Sequence, residues 1–272
     1  MSPQSMTLPL LENIQMVPVS DSMYQVRIEP TPKRVRTFIG GIAVADGARA
    51  MLMLETGRLP VYYFPSEDVR RDLLRPSGHT VASPRKGEAV YSSIEVEGHV
   101  IENAAWQYPA PLQACADIAG YLAFHWNLMD AWLEEDEEVF VHARNPYGRV
   151  DVLESSRHVQ VVIGGETVAD TRRARFLFET GLPTRYYIPK LDIRMDRLRP
   201  SETRTACPYK GRTTAYWTAT AGTNTGKDVA WSYGAPVPEC AKIANLVAFF
   251  NERVDATYVD GVKQDRPTTP WS

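Results

Sequence analysis

The sequence predicts an α+β protein, mainly β, built as two tandem copies of a small antiparallel β-sheet domain, each closed by one long helix. Three observations predict it. The chain repeats itself: Glu55-Thr56-Gly57, Tyr62-Tyr63 and Leu74-Arg75-Pro76-Ser77 return as Glu179-Thr180-Gly181, Tyr186-Tyr187 and Leu198-Arg199-Pro200-Ser201, with 179 − 55, 186 − 62 and 198 − 74 all equal to 124. A period that long marks a duplicated domain, because solenoid units repeat every few tens of residues. Short alternating apolar segments bounded by Gly and Pro fill most of each copy, as strands do. Near the end of each copy an apolar face stands at helical spacing, at Ile118, Leu122, Trp126 and Met129 and at Ile243, Leu246, Val247 and Phe250.

In chain order, residues 1–31 form an N-terminal extension, with a loose tail over Met1 to Leu8 and a strand at Tyr24 to Ile28. The extension has no visible partner in the second half. The first repeat domain spans 32–145 and the second 146–272. Val35 to Val44 and Val159 to Val168 read as hairpins around Gly40-Gly41 and Gly164-Gly165. Met51 to Glu55 and Val61 to Phe64, like Arg175 to Glu179 and Arg185 to Ile188, are strand pairs joined by a tight Gly turn. Asp68 to Leu74 and Asp192 to Leu198 read as short helical turns, with the Asp as cap and Arg near the end. Ala89 to Val96, Val100 to Trp106, Thr214 to Thr220 and Val229 to Tyr233 are further strands. The segments Pro109 to Pro111 and Pro236 to Pro238 mark the entries of the closing helices. The acidic run Glu134 to Glu138 reads as a solvated linker.

The net charge of −3 and pI near 6.0 give no electrostatic footprint for nucleic acid or an anionic membrane. No apolar run approaches the roughly 20 residues of a membrane helix. The N-terminus has no basic segment, and Glu12 interrupts its apolar stretch, so no secretory leader is predicted. Three cysteines without a CxxC pair point to a reducing, cytoplasmic setting. The five histidines have no histidine counterparts in the other copy, which speaks against a shared metal site or Cys-His dyad. P-loop, GxGxxG, GxSxG and HExxH signatures do not occur. The expectation is therefore no metal and no cofactor.

The repeated polar and aromatic residues are the candidates for chemistry, since packing alone repeats apolar ones. Pro84-Arg85-Lys86-Gly87 matches Pro208-Tyr209-Lys210-Gly211 in the same register. Ala105-Trp106-Gln107-Tyr108 matches Ala230-Trp231-Ser232-Tyr233 one residue later, 230 − 105 = 125. Glu55 and Glu179, at strand ends, read as a general acid or base with a pKa raised by partial burial. The alternative is a carboxylate that pairs with Arg or Lys and pins the turn. Lys86 and Lys210 precede a glycine and read as anion ligands or as amines able to form an imine, against the alternative of a surface turn. Trp106 and Tyr108, like Trp231 and Tyr233, alternate on a strand and share a face, as pocket walls or as core anchors. Tyr62-Tyr63 and Tyr186-Tyr187 point to opposite faces, so only Tyr63 and Tyr187 are assigned to that pocket. Cys207 lies beside it, with Ser83 in its place in the first copy. Cys115 and Cys240 are equivalent and read as small buried residues on the closing helices.

The ordered series Glu179-Thr180-Gly181, Tyr186-Tyr187-Ile188-Pro189, Asp192-Ile193-Arg194, Cys207-Pro208-Tyr209-Lys210-Gly211, Ala230-Trp231-Ser232-Tyr233 and Ile243-Ala244 with Ala248-Phe249 resembles the bacterial and fungal family called domain of unknown function 427. The resemblance covers nearly all of both copies. Ser83 departs from the pattern in the first. The resemblance implies a compact β-tent-like fold of two sheets with a helix on one side, and it carries a nucleotidyltransferase-like label. Such transferases use paired metal-binding carboxylates, and none are spaced that way in this chain. The residues point instead to a metal- and cofactor-independent enzyme acting on a small carbonyl, aldehyde-like substrate. Glu179 and Lys210, or Glu55 and Lys86, would be catalytic. Tyr187, Trp231, Tyr233 and Cys207, or Tyr63, Trp106 and Tyr108, would bind substrate. A small-molecule or nucleotide-binding module without catalysis, and a purely structural duplication, are the alternatives. The expected partner is the small substrate, with neither nucleic acid nor membrane, and with room for a homodimer.

Overall fold

The computed structural model describes residues 24–220 and 226–269. The predicted tail, Met1 to Leu8, lies outside them. The described residues divide at Asn145/Pro146 into two compact units.

The first unit contains β1 (Val26–Pro30), β2 (Val35–Ile39), β3 (Ile42–Gly47), β4 (Met51–Glu55), β5 (Val61–Pro65), β6 (Leu74–Ser83), β7 (Gly87–Val96), β8 (His99–Gln107), β9 (Tyr121–Phe124), β10 (Ala131–Glu134) and β11 (Glu137–Glu138). A seven-stranded antiparallel sheet runs β1-β4-β5-β9-β8-β7-β6, and a four-stranded sheet runs β11-β10-β2-β3. The second unit contains β12 (Val150–Glu154), β13 (Val159–Ile163), β14 (Glu166–Thr171), β15 (Arg175–Glu179), β16 (Arg185–Ile188), β17 (Leu198–Ser201), β18 (Ala206–Cys207), β19 (Gly211–Arg212), β20 (Ala215–Ala219), β21 (Ala230–Ser232), β22 (Val247–Phe249), β23 (Ala256–Val259) and β24 (Val262–Lys263). Its sheets run β12-β15-β16-β22-β21-β20-β17 and β14-β13-β23-β24, with β18 and β19 a separate hairpin.

Period-two alternation explains the pleat. Val35–Ile39 and Val159–Ile163 both bury every second side chain. The Gly40-Gly41 and Gly164-Gly165 turns have positive φ at both positions, which matches the twist a two-residue hairpin needs. In the first unit Val35, Val44, Leu52, Tyr62, Phe64, Leu122 and Phe124 form the core shared by the two sheets. The other face of the large sheet carries a second apolar cluster of Met53, Tyr63, Ala89, Tyr108, Cys115 and Ile118. The second unit repeats both clusters.

The closing helices are absent. Gln113–Ile118 and Pro238–Ile243 are kinked 3-10 segments, with Cys115 at φ −127° and Cys240 at φ −109° off helical geometry. Each is followed by a central strand, Tyr121–Phe124 or Val247–Phe249, hydrogen-bonded on both sides. A strand buried on both faces is apolar without alternation, so its residues mimic a helical face. The break is at Gly120, φ +79°, and at the equivalent Asn245, φ +60°. Glycine and asparagine tolerate that left-handed backbone, and it ends any helix there.

Three smaller expectations also change. The strand placed in the extension pairs with the first copy: Val26 faces Glu55 in β1–β4, as Val150 faces Glu179 in β12–β15. Backbone pairing needs no shared side chains, so sequence comparison does not reveal it. The acidic run is not a linker but the hairpin β10–β11. Its Glu134 is buried, accepting from the Tyr62 hydroxyl at 2.7 Å and from Lys33. Asp68 and Asp192 do not cap, because their segments are three-residue 3-10 turns without side-chain cap bonds. They accept instead from Arg49 and Arg173, each at 2.5 Å.

Candidate functional site

In both units the site starts where the strand carrying the glutamate runs into a tight Gly turn. Glu55 ends β4 and Glu179 ends β15, followed by Gly57 at φ +72° and Gly181 at φ +77°. The lysine comes from the turn before Gly87 or Gly211, at φ +101° and +95°. That turn is tied to the 3-10 segment: the Leu112 N–H donates to the Lys86 carbonyl at 3.1 Å, and the Val237 N–H to the Lys210 carbonyl at 3.2 Å. Each lysine then reaches its glutamate, Nζ to Oε2 2.5 Å in both units. The side chains are 12% and 8% exposed for Lys86–Glu55, and 11% and 11% for Lys210–Glu179. Two copies with different neighbours therefore keep one buried ion pair.

A methyl group on Gly87 would lie 2.9 Å from the Ala110 carbonyl oxygen, on a backbone conformation that strains any side chain. At Gly211 the nearest atom is 3.5 Å away. Gly87→Ala is therefore expected to cost about 1–3 kcal/mol and Gly211→Ala less; urea denaturation of the two variants checks the order.

Beside the pair the aromatic residues form one repeated arrangement. The Trp106 Nε1–H donates to the Tyr63 hydroxyl at 3.2 Å, and the Trp231 Nε1–H to the Tyr187 hydroxyl at 3.3 Å. The rings meet edge to face with centroids 6.3 Å apart in both. Tyr108 and Tyr233 join the same clusters, on the same side as Trp106 and Trp231. Tyr62 and Tyr186 turn to the inter-sheet core. Burial pushes the Tyr108 phenol up to about 12, and raises Tyr63, Tyr187 and Tyr233 as well. All four stay neutral at ordinary pH. The charge of Glu55 is felt at Tyr63 and Tyr108, and that of Glu179 at Tyr187 and Tyr233.

The electrostatics run against the effect of burial at Glu55 and at Lys210. Burial alone would raise Glu55, but the Lys86 ammonium, the Tyr24 hydroxyl and Arg58 hold it below the ordinary carboxylate value. Burial alone would lower Lys210, but Cys207 and Glu179 hold it above the ordinary amine value. Lys210 thus rests as a cation, and chemistry at its nitrogen, an imine included, first needs a proton moved off it.

The units differ in what surrounds the pair. The Tyr24 hydroxyl donates to Glu55 Oε1, and Arg58 Nε lies 2.8 Å from the same oxygen. The Arg85 guanidinium covers the Tyr24 ring at 3.7 Å. The equivalent positions, 24 + 124 and 58 + 124, hold Gly148 and Leu182. In the second unit Lys210 bonds the Cys207 side chain as well as Glu179. Tyr24 and Arg58 went unrecognised in the sequence. Arg58 was visible as an i, i+3 charge partner of Glu55, whereas Tyr24 becomes legible only once β1 is paired with β4.

Glu55 lines a hollow of about 350 Å³ with Gln25, Arg27, Arg58 and Asn145. Tyr63, Trp106 and Tyr108 are packed in the cluster behind it rather than along its wall. A hollow of about 510 Å³ in the second unit is lined by polar residues such as Asp255, Lys263 and Arg266 and contains none of the candidate site residues. Among the described residues no three His, Cys, Asp or Glu side chains are grouped to hold a metal ion, and no helix is long and apolar enough to cross a membrane.

Two sheet-and-sheet units, each with a buried Glu–Lys pair against a Tyr–Trp edge contact, define a tandem β-domain protein with a duplicated polar site. The chain belongs to the family described as domain of unknown function 427 (DUF427), whose sequence profile matches it twice, over residues 27–135 and 151–260. No curated protein matches it in sequence.

Proposed function

We propose that this chain is a metal- and cofactor-independent enzyme acting on a small carbonyl compound, with a lysine ammonium as the donor to the carbonyl oxygen. The observation that carries this reading is the Glu–Lys pair at 2.5 Å, kept in both units inside a layer of neutral phenols. A partly desolvated ammonium stabilises an oxyanion far better than it would in water. The glutamate then positions the lysine and holds its charge. Its own lowered pKa in the first unit makes it a weak base. In the first unit a hollow opens beside Glu55, the partner of the lysine, and half-buried Cys207 is read as marking the approach in the second. The two sheets of each unit are read as the tent-like arrangement the family resemblance implies, with the protein working in the cytoplasm.

The test is turnover of a panel of small aldehydes and ketones by the full-length chain and by Lys86→Arg/Lys210→Arg. This variant keeps the ion pairs while moving the donor atoms. Turnover is expected to fall by about 100-fold, and borohydride should trap no lysine adduct. Undiminished turnover in the variant, or none by the parent on any carbonyl, would defeat the reading. A binding module without catalysis is favoured by one observation: an ion pair this fixed recognises a ligand without proton transfer. A ligand-induced thermal shift with no product would select it.

A further inference from the structure

The second unit holds a thiol where the first holds a hydroxyl, on a turn that seats its lysine against the glutamate in both units. Cys207 ends β18 and pairs with Gly211 of β19, so the intervening turn of Pro208, Tyr209 and Lys210 folds back on it. The Lys210 N–H donates to the Cys207 carbonyl at 3.3 Å, which fixes the two residues on one short loop. Their side chains are hydrogen-bonded to each other, and Glu179 Oε2 stands 2.5 Å from the lysine nitrogen. Three reactive groups therefore meet: a thiol, an amine and a carboxylate able to take the amine's proton.

The three cysteines differ in reach. Cys115 and Cys240 are fully buried, and burial pushes the Cys240 thiol up to about 11. A protonated, enclosed thiol reacts slowly with peroxides. Cys207 is only half-buried and has a cation beside it, the setting in which a thiol is oxidised. In the first unit Ser83 replaces it, and the Lys86 N–H donates to the Ser83 hydroxyl at 3.3 Å. That unit keeps the ion pair but has no oxidisable partner for its lysine.

We propose that hydrogen peroxide joins Cys207 to Lys210 through a sulfenamide bond, making this turn an oxidation-dependent covalent cross-link found in the second unit alone. In the first step the thiol is oxidised to sulfenic acid and one peroxide is reduced to water. In the second, Glu179 accepts one proton from the lysine ammonium. The neutral amine attacks the sulfenic sulfur, the S–O bond breaks, and hydroxide leaves as water with one of the two amine protons, while the other stays on the nitrogen. An S–N bond has formed, two electrons have passed from sulfur to peroxide, and the sum is thiol plus amine plus peroxide giving sulfenamide plus two waters. Two equivalents of an added thiol reverse it, leaving their own disulfide. The cross-link removes the cation from Glu179, and so separates the behaviour of the two otherwise similar sites.

The inference does not rest on the catalytic reading. The test treats the full-length protein with hydrogen peroxide, blocks remaining thiols, denatures it, digests it with trypsin and weighs the peptides. Lysine in a sulfenamide resists trypsin, so the expected product spans residues 205–212 uncut and is lighter by two hydrogens than its reduced form. It should disappear on treatment with dithiothreitol, and should not form in Cys207→Ser. Lys210→Arg keeps the charge facing Glu179 but cannot form the bond. There the sulfenic acid should persist and be labelled by dimedone at least about tenfold more than in the parent. Equal dimedone labelling of Cys207 in parent and Lys210→Arg, or trypsin cutting after Lys210 as completely after peroxide as before, would overturn the proposal.

Discussion

Glu252→Ala is expected to destabilise the second unit by about 3–5 kcal/mol, because it leaves a guanidinium buried without its counter-charge. Arg185 Nη1 and Nη2 donate to Glu252 Oε2 and Oε1 at 2.6 and 2.5 Å, a two-pronged pair in which Glu252 is 0% exposed and Arg185 9%. The guanidinium also lies 5.7 Å from the Trp231 ring centroid and 5.6 Å from that of Phe250. The pair therefore backs the wall of the candidate site. The first unit has Val61 and Asn127 at the equivalent positions, 185 − 124 and 252 − 125, so the fold does not need these charges. A buried pair replaced whole by apolar residues is commonly neutral or stabilising, whereas a broken pair is costly. Arg185→Met/Glu252→Leu should accordingly recover most of what the single change loses. Burial raises Glu252, but Arg185 and the Thr269 hydroxyl outweigh it and hold the carboxyl below its ordinary value. A carboxyl depressed in the folded state stabilises above its unfolded pKa of about 4.3. That contribution fades as pH falls through the still lower folded value. Hydrogen exchange of β16 and β22 amides, read against denaturant at pH 7 and pH 3, measures both effects. A loss below about 1 kcal/mol for Glu252→Ala would mean the arginine reaches water.

The sequence made the duplication and most strands legible because strand alternation and Gly turns are local signals. Val35–Ile39 carries its own pattern, and the Gly40-Gly41 turn announces its partner. The central strands Tyr121–Phe124 and Val247–Phe249 were misread because burial on both faces erases alternation. A signal was present even so: Gly120 and Asn245 occupy equivalent places and share the backbone conformation that other residues avoid. The Glu–Lys pairs were visible only as recurrence. Their partners lie 31 residues apart in both copies, and no spacing rule for strands predicts contact at that distance. Recurrence could not choose between chemistry and the pinning of a turn. Geometry adds that each lysine nitrogen is seated on its glutamate. The supporting groups Tyr24, Arg58, Arg185 and Glu252 do not recur at all. A comparison of the two halves passes over them for that reason.

That asymmetry gives the second large expectation: Lys210→Met should cost the second unit more than Lys86→Met costs the first. Removing Lys86 leaves Glu55 with the Tyr24 hydroxyl and Arg58, so the loss is close to that of one charged hydrogen bond, about 1.5–3 kcal/mol. Glu179 has Gly148 and Leu182 where those donors stand in the first unit. Lys210→Met strands a carboxylate that is 11% exposed, with an expected cost of about 3–5 kcal/mol. Their pH signatures differ too. Lys210 is held above its ordinary value, so its contribution is intact below about pH 10.4 and is lost as pH rises through the higher folded value. The depressed Glu55 contributes above its ordinary pKa, and that contribution fails on acidification. Restoring donors to the second unit should narrow the gap. Leu182→Arg in the Lys210→Met background puts a guanidinium within one turn of Glu179, as Arg58 is of Glu55, and should recover a part of the lost stability. Exchange of β15 and β4 amides in the same full-length molecules compares the two sites directly. Equal losses in the two units would show that Tyr24 and Arg58 contribute nothing to Glu55, and that the polar site is held in both copies by its lysine alone.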